Sequence, residues 1–423
     1  MVISKIPLFF LLASFALATG CGGGVGINTD GNPTVRQVDD DRGPTQEYSS
    51  IQAAVNATRP GDTVLVHDGN YRGFAVYSGG TAASPVTIKA AGNGAVIDRP
   101  NGNGEGVTIN NTHYIIIEGF TVSGMPRAGI ASHKASAAWP MRGVIIRRNT
   151  VRDSGSTNIY LSQTADSLVE RNLASGSISS HGIYLANGGS DNTILHGNRC
   201  FGNAKNGIHF NGDSSMGGDG LHRGLIIENN ILHGNTANGL DMDGVQDSLV
   251  RNNLIYDNGR NALRAFQIDG AAGPKNLKII NNTLLAAHDG GWALKMSQDL
   301  GGHTIFNNIL LSDNDSTGSI SVTNSDFASN NNALSGRLSF DGETSVAGLN
   351  TWQAAGFDTG SFATTPAELF VSTASADYRL TAGAPAIDAG RAALNDVPAP
   401  LTDLVGAPRP QGLAFDLGAY ESN

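Results

Sequence analysis

The sequence predicts an all-β solenoid, a coil of short parallel strands stacked turn on turn, and three observations carry that prediction. One pattern recurs between residues 143 and 311 as "GVIIRRNTV", "DSLVERNLA", "NTILHGNRC", "GLIIENNIL", "DSLVRNNLI", "NLKIINNTL" and "GHTIFNNIL". Its shared asparagines, taken as Asn149, Asn172, Asn198, Asn229, Asn252, Asn281 and Asn307, lie 23, 26, 31, 23, 29 and 26 residues apart, the spacing of stacked repeats. Within each repeat, short runs of aliphatic and β-branched residues are broken by Asn, Gly and Asp. No ten-residue helical pattern intervenes, so helices cannot supply the crossovers. Finally, 55 glycines in 423 residues, with only 15% charged residues, require many tight turns. Coils stacked at about 4.8 Å let each strand pair with its own copy in the next coil and bury its inward side chains.

The elements follow in chain order. Residues 1–20 hold Lys5, an apolar run from Ile6 to Ala18 and small residues before Cys21, the pattern of an export signal. That run is too short to span a bilayer as a helix, and no later segment approaches the required length. "LATGC" resembles the lipobox of bacterial lipoproteins, which implies lipidation of Cys21 and anchoring to the cell envelope, with the outer membrane as a partner. Residues 21–44, Gly-rich and polar, read as a flexible tether. The strand coil is expected over 45–345 and a C-terminal capping segment over 346–423. With Cys21 acylated, Cys200 has no disulfide partner and reads as a small buried apolar residue.

Two further segments and the repeats themselves resemble a known family. "YSSIQAAVNATRPGDTVLVHDGNYRG" has an amphipathic helix from about Ser50, with Ile51, Ala54 and Val55 as its apolar stripe, followed by a strand. "DYRLTAGAPAIDAG" and "RPQGLAFDLGAY" end the chain. Together with the repeats, these resemble the right-handed parallel β-helix repeat family, whose superfamily contains pectate lyases. The resemblance implies a helix covering one open end of the coil and an irregular C-terminal region closing the other. Both would protect bare strand edges. The repeated asparagines read as a structural ladder, and the twin "LHGN" motifs at His196 and His233 read as structural with them.

A second strand in each coil carries the candidate site: "AGIASH", "NIYLSQ", "HGIYLAN", "NGIHFNG", "NGLDMDG", "NALRAF" and "WALKMS". With Ile130, Ile159, Ile183, Ile208, Leu240, Leu263 and Leu294 inward, alternation turns Ala131, Tyr160, Tyr184, His209, Asp241, Arg264 and Lys295 outward in one column. The next outward column reads His133, Ser162, Ala186, Asn211, Asp243, Phe266 and Ser297. Tyr160, His181, Asn211 and Asp213 are the expected substrate contacts. The insertion "GDSSMGGDGLHRG" is expected to wall the column with Asp213, Asp219 and His222. The competing structural reading is a plain cross-strand ion pair between Asp241 and Arg264.

The net charge of -10, without a basic run, argues against nucleic acid as partner. The column instead suits an acidic polysaccharide. β-Elimination next to a uronate carboxylate needs a base, a cation and a proton donor. Lys295 is the expected base, Arg264 the cation, and Tyr184 or His209 the acid. Asp241 and Asp243 are candidate calcium ligands. The family resemblance implies the same, since its lyases use Lys or Arg bases, often with calcium. Three alternatives stay open: a binding or structural lipoprotein without catalysis, an inverting hydrolase using carboxylates about 6.6 Å apart along the strand, and a uronan epimerase.

Overall fold

Strands built from the repeated aliphatic triplets lie in register, and the chain winds through three sheets of twelve strands each. One sheet runs from Val35–Val38 to Phe327–Asn330, a second from Gly69–Arg72 to Phe362–Ala363, and a third from Phe74–Val76 to Ala347–Gly348. All pairs in these sheets are parallel except the last of the third, Arg337–Ser339 with Ala347–Gly348. The computed structural model describes residues 32–41, 47–134 and 140–422. The expected signal peptide, Cys21 and most of the expected tether lie outside the described residues. Among those described, no helix is long and apolar enough to cross a membrane.

Inward positions stack into continuous files. Ile146, Val169, Leu195, Ile227, Val250, Ile279 and Ile305 are register partners along the first sheet and are fully buried. Each contributes roughly 1.5–3 kcal/mol relative to an exposed side chain. Cys200 is free and buried within the same core, where burial pushes its thiol up. The helix Ile51–Asn56 covers the first coil as the sequence predicts: Ser50 Oγ accepts the Ala53 N–H, and Ile51, Ala54 and Val55 are buried.

Three expectations need correction. The segment assigned to the tether contributes the strand Val35–Val38, which pairs with Thr63–Val66 and opens the first sheet before residue 45. Val38 is fully buried there, so its apolar side chain draws this segment onto the coil.

The asparagine ladder runs through Asn149, Asn172, Asn198, Asn230, Asn253, Asn282, Asn308 and Asn332, each Nδ2 donating to the next Oδ1 at 2.9–3.1 Å. Asn229, Asn252, Asn281 and Asn307 are instead the preceding turn residues, with φ between 52° and 58°. The earlier coils place Arg148, Arg171 and Gly197 at that turn. Asparagine tolerates the left-handed region, so an "NN" doublet offers two candidates for one ladder rung.

The last coil is plugged by the helix Leu349–Ala354, whose Trp352 is fully buried against Phe340, Phe327 and Phe357. "DYRLTAGAPAIDAG" and "RPQGLAFDLGAY" lie along the flank instead of closing the end. They cover Leu254, Tyr256, Leu285, Ile309 and Leu311, which point outward from the second sheet. The turn asparagines hold them there: Asn252 donates to the Thr402 carbonyl, Asn281 to Asp416, Asn307 to Arg391 and Asn331 to Ala389. Strands apolar on both faces require such a cover.

Candidate functional site

The third sheet holds the predicted column in the predicted register. Ala131, Tyr160, Tyr184, His209, Asp241, Arg264 and Lys295 are successive Cα partners. Flanking residues such as Ile208, Phe210, Leu294 and Met296 are fully buried, which forces the intervening side chains to the outer face. Parallel pairing thus gathers residues from more than a hundred positions of sequence into one strip.

The two carboxylates of "LDMD" differ in their surroundings. Asp243 is 2% exposed and caps a loop: Oδ1 accepts the Ile268 N–H at 2.9 Å, Oδ2 accepts that of Asp269 at 2.8 Å, and Gly270 N–H is shared at 3.2 Å. Asp241 is 4% exposed and is held by two amides, Asn206 Nδ2 to Oδ2 at 3.0 Å and Asn238 Nδ2 to Oδ1 at 2.8 Å. The pair does not fit calcium, which needs six to eight oxygen ligands. Both carboxylates already bind N–H donors, and no group of three or more His, Cys, Asp or Glu among the described residues is placed to hold a metal ion.

His209 completes a carboxylate–imidazole pair. Its Nδ1 lies 3.0 Å from Asp241 Oδ2, yet it is buried and not aligned for a hydrogen bond. The ring stacks on His181 at 4.5 Å and on Tyr184 at 5.0 Å between centroids. Tyr160 continues the row between Tyr184 and His133. Asn211 Nδ2 donates to the Tyr184 hydroxyl oxygen at 3.2 Å, and burial raises the Tyr184 phenol above its ordinary value. Burial, with His209 and Lys205 nearby, lowers His181 to about 2; its Nδ1 accepts the Asn206 N–H, so it is a neutral spacer.

The cations also differ. Arg264 forms no ion pair with Asp241; its guanidinium lies 3.7 Å over the Phe266 ring and has no hydrogen-bond partner among the described residues. Lys295 Nζ donates to Glu343 Oε1 at 2.7 Å. That contact ties the Lys295 side chain to a carboxylate partner, and the geometry does not present it as the base. Of the insertion residues, Asp213 lies near Tyr184 and caps Ser215. His222 is fully buried, bonded to the Asn211 carbonyl, and Asp219 pairs with Arg223, so neither lines the column. Sequence reasoning missed Asn206, Asn238 and Glu343. The asparagines were legible in "NGIHF" and "NGLDM"; Glu343, 48 residues beyond Lys295, carried no local signal.

Comparison with known proteins agrees with this architecture. Residues 87–219 match the family described as Right handed beta helix region. The curated proteins give no match. Among solved structures, pectate lyase Pel9A aligns with TM-score 0.59 at 17% identity, covering 92% of this chain and 96% of that one. An alginate lyase from Paenibacillus sp. str. FPU-7 aligns with TM-score 0.48 at 20% identity, covering 64% and 93%. The A-module of a mannuronan C-5 epimerase from Azotobacter vinelandii gives 0.47 at 17%, covering 69% and 89%. The chain is therefore a right-handed parallel β-solenoid of the pectate-lyase-like fold, with a right-handed beta helix region recognisable in its sequence at residues 87–219.

Proposed function

We propose that the outer face of the third sheet is the active site of a polysaccharide lyase that cleaves an acidic, uronate-containing polymer by β-elimination. The observation that carries the reading is the placement, in four consecutive coils, of Tyr184, His209, Asp241 and an Arg264 that has no ion-pair partner among the described residues. His209 Nε2 takes the proton from C5 of the uronate. Asp241, itself fixed by Asn206 and Asn238, orients the ring and stabilises the imidazolium that forms. The released electron pair makes the C4–C5 double bond, the C4–O bond breaks, and the leaving oxygen takes the Tyr184 phenol proton. Burial keeps that proton in place beforehand. Arg264 binds the uronate carboxylate and stabilises the charge that develops beside it. Solvent exchange then returns Tyr184 and His209 to their starting protonation.

In this reading the base is His209 and not Lys295, whose ammonium is engaged by Glu343. No step uses calcium. The inverting-hydrolase reading loses its second carboxyl, because Asp243 is committed to the loop at 268–270. The pectate lyase that shares this fold supports an acidic polymer as substrate. The proposal includes export and acylation of Cys21, which would tether the solenoid to the cell envelope beside such polymers.

The test is incubation with pectate, alginate and glycosaminoglycans, with and without calcium, following ultraviolet absorbance of the unsaturated product. His209→Gln is expected to lower the rate by about 100-fold or more, and Asp241→Asn to lower it as well. Undiminished product from both variants would overturn the assignment. A second reading, retention of the polymer without cleavage, is favoured by the fact that Lys295 and both aspartates already have partners. Co-sedimentation with a polymer and no product would select it.

A further inference from the structure

Three coils before His209, the same face opens into a pocket of about 290 Å³ whose lining includes Glu105, Arg127, Ala128, His133, Thr157 and Tyr160. The repeat itself explains the hollow. The position two residues before each third-sheet strand carries Glu105, Ala128, Thr157, His181, Asn206, Asn238 and Asn261 in successive coils. From Asn206 to Asn261 these side chains bond to their neighbours and fill the row. Ala128 has no side chain to extend, and the outward column in that coil is also an alanine, Ala131. One coil of small residues between two coils of larger ones leaves a gap.

Its wall is built. Glu105 is 1% exposed, and burying a carboxylate is unfavourable unless partners hold it. Thr108 Oγ1 donates to Oε2 at 2.6 Å, and Asn101 Nδ2 in turn donates to Thr108 Oγ1 at 2.8 Å. His133 Nε2 is 2.8 Å from Oε1. The His133 ring packs against Tyr160 at 5.4 Å between centroids, continuing the row that ends at His209. Arg127 lies at the mouth with a side chain 63% exposed, 3.9 Å from Glu105, and among the described residues its guanidinium donates only to the Asn103 carbonyl.

We infer that this pocket is a separate binding subsite for a single pyranose ring bearing a carboxylate. Arg127 pairs with the ring carboxylate, Thr157 and His133, the latter held in place by Glu105, take ring hydroxyls, and Tyr160 packs against the ring. The volume lies at the small end of ligand sites, roughly 300–1,000 Å³, which suits one ring and not several. The next units of the chain would run along the column toward His209, roughly 14 Å away at three strand spacings. From the lyase reading the inference takes only the substrate class, a uronate sugar.

The test is calorimetric titration of galacturonate, mannuronate and guluronate oligomers, from monomer to hexamer, onto the His209→Gln chain, where turnover does not intervene. Saturable binding is expected, weakened at least tenfold by Arg127→Ala and by Ala128→Leu, which fills the hollow. Arg127 is exposed, so its variant should keep the parent Tm. No saturable binding of any oligomer, or binding unaltered by both substitutions, would overturn the subsite. Should the unaltered chain make an unsaturated product that His209→Gln does not, with oligomer binding insensitive to Arg127, the subsite fails and the lyase stands. Arg127-dependent binding with no product from any polymer has the opposite meaning.

Discussion

His181 illustrates how one position in a repeat can be tuned. It occupies the row filled by Asn206 and Asn238 in the following coils, and like them it accepts a backbone N–H. As an imidazole it also stacks on His209, but burial and its charged surroundings depress its folded value to about 2 against an ordinary 6.5. The unfolded chain therefore binds a proton that the folded chain refuses. Stability from the neutral ring is fully present above about pH 6.5 and declines as pH falls toward 2. At pH 5 the loss from this residue is about 2 kcal/mol. His181→Asn is expected to flatten the fall in Tm between pH 7 and pH 5; an unchanged slope would mean that His181 titrates normally. His222, held at about 4 by burial, adds to the same acid sensitivity.

At the scale of the element, the ladder and the loop cap separate two uses of a short polar side chain. Asn253 accepts both Asn230 Nδ2 and the Asn230 backbone N–H, whereas Asn252 reaches outward to Thr402. Asn253→Ala leaves buried donors without acceptors and should cost about 1–3 kcal/mol. Asn252→Gly keeps the left-handed turn and should cost about 1 kcal/mol or less. Equal losses in denaturant unfolding would contradict the rung assignment. Asp243→Ala should release the loop 267–270, seen as faster hydrogen exchange at Ile268, Asp269 and Gly270, while leaving His209 and Asp241 in place. A collapse of polymer turnover in that variant would instead give Asp243 a direct role.

For the whole molecule, the C-terminal flank is part of the fold's stability and not an appendage. Its Arg409 and Glu421 form a fully buried ion pair at 2.7 Å, and Arg409 also donates to the carbonyls of Asp416 and Gly418. Arg409→Met leaves the Glu421 charge unpaired and should lower stability by about 3–5 kcal/mol. A loss below about 1 kcal/mol in denaturant unfolding would show that the flank is docked by its apolar contacts alone. The repeat period, the coil, the capping helix with its three buried residues and the outward column were all legible in the sequence, because a parallel stack fixes register through strand alternation. The column's membership followed from the seven aligned segments, "AGIASH" to "WALKMS", alone. What each member touches was decided only in three dimensions. The fate of Asp243 depends on a loop 25 residues on, that of Lys295 on Glu343, and the pocket at Glu105 on an alanine one coil away. Strand periodicity specifies which way a side chain points, but its partners come from turns of variable length, whose paths no period encodes.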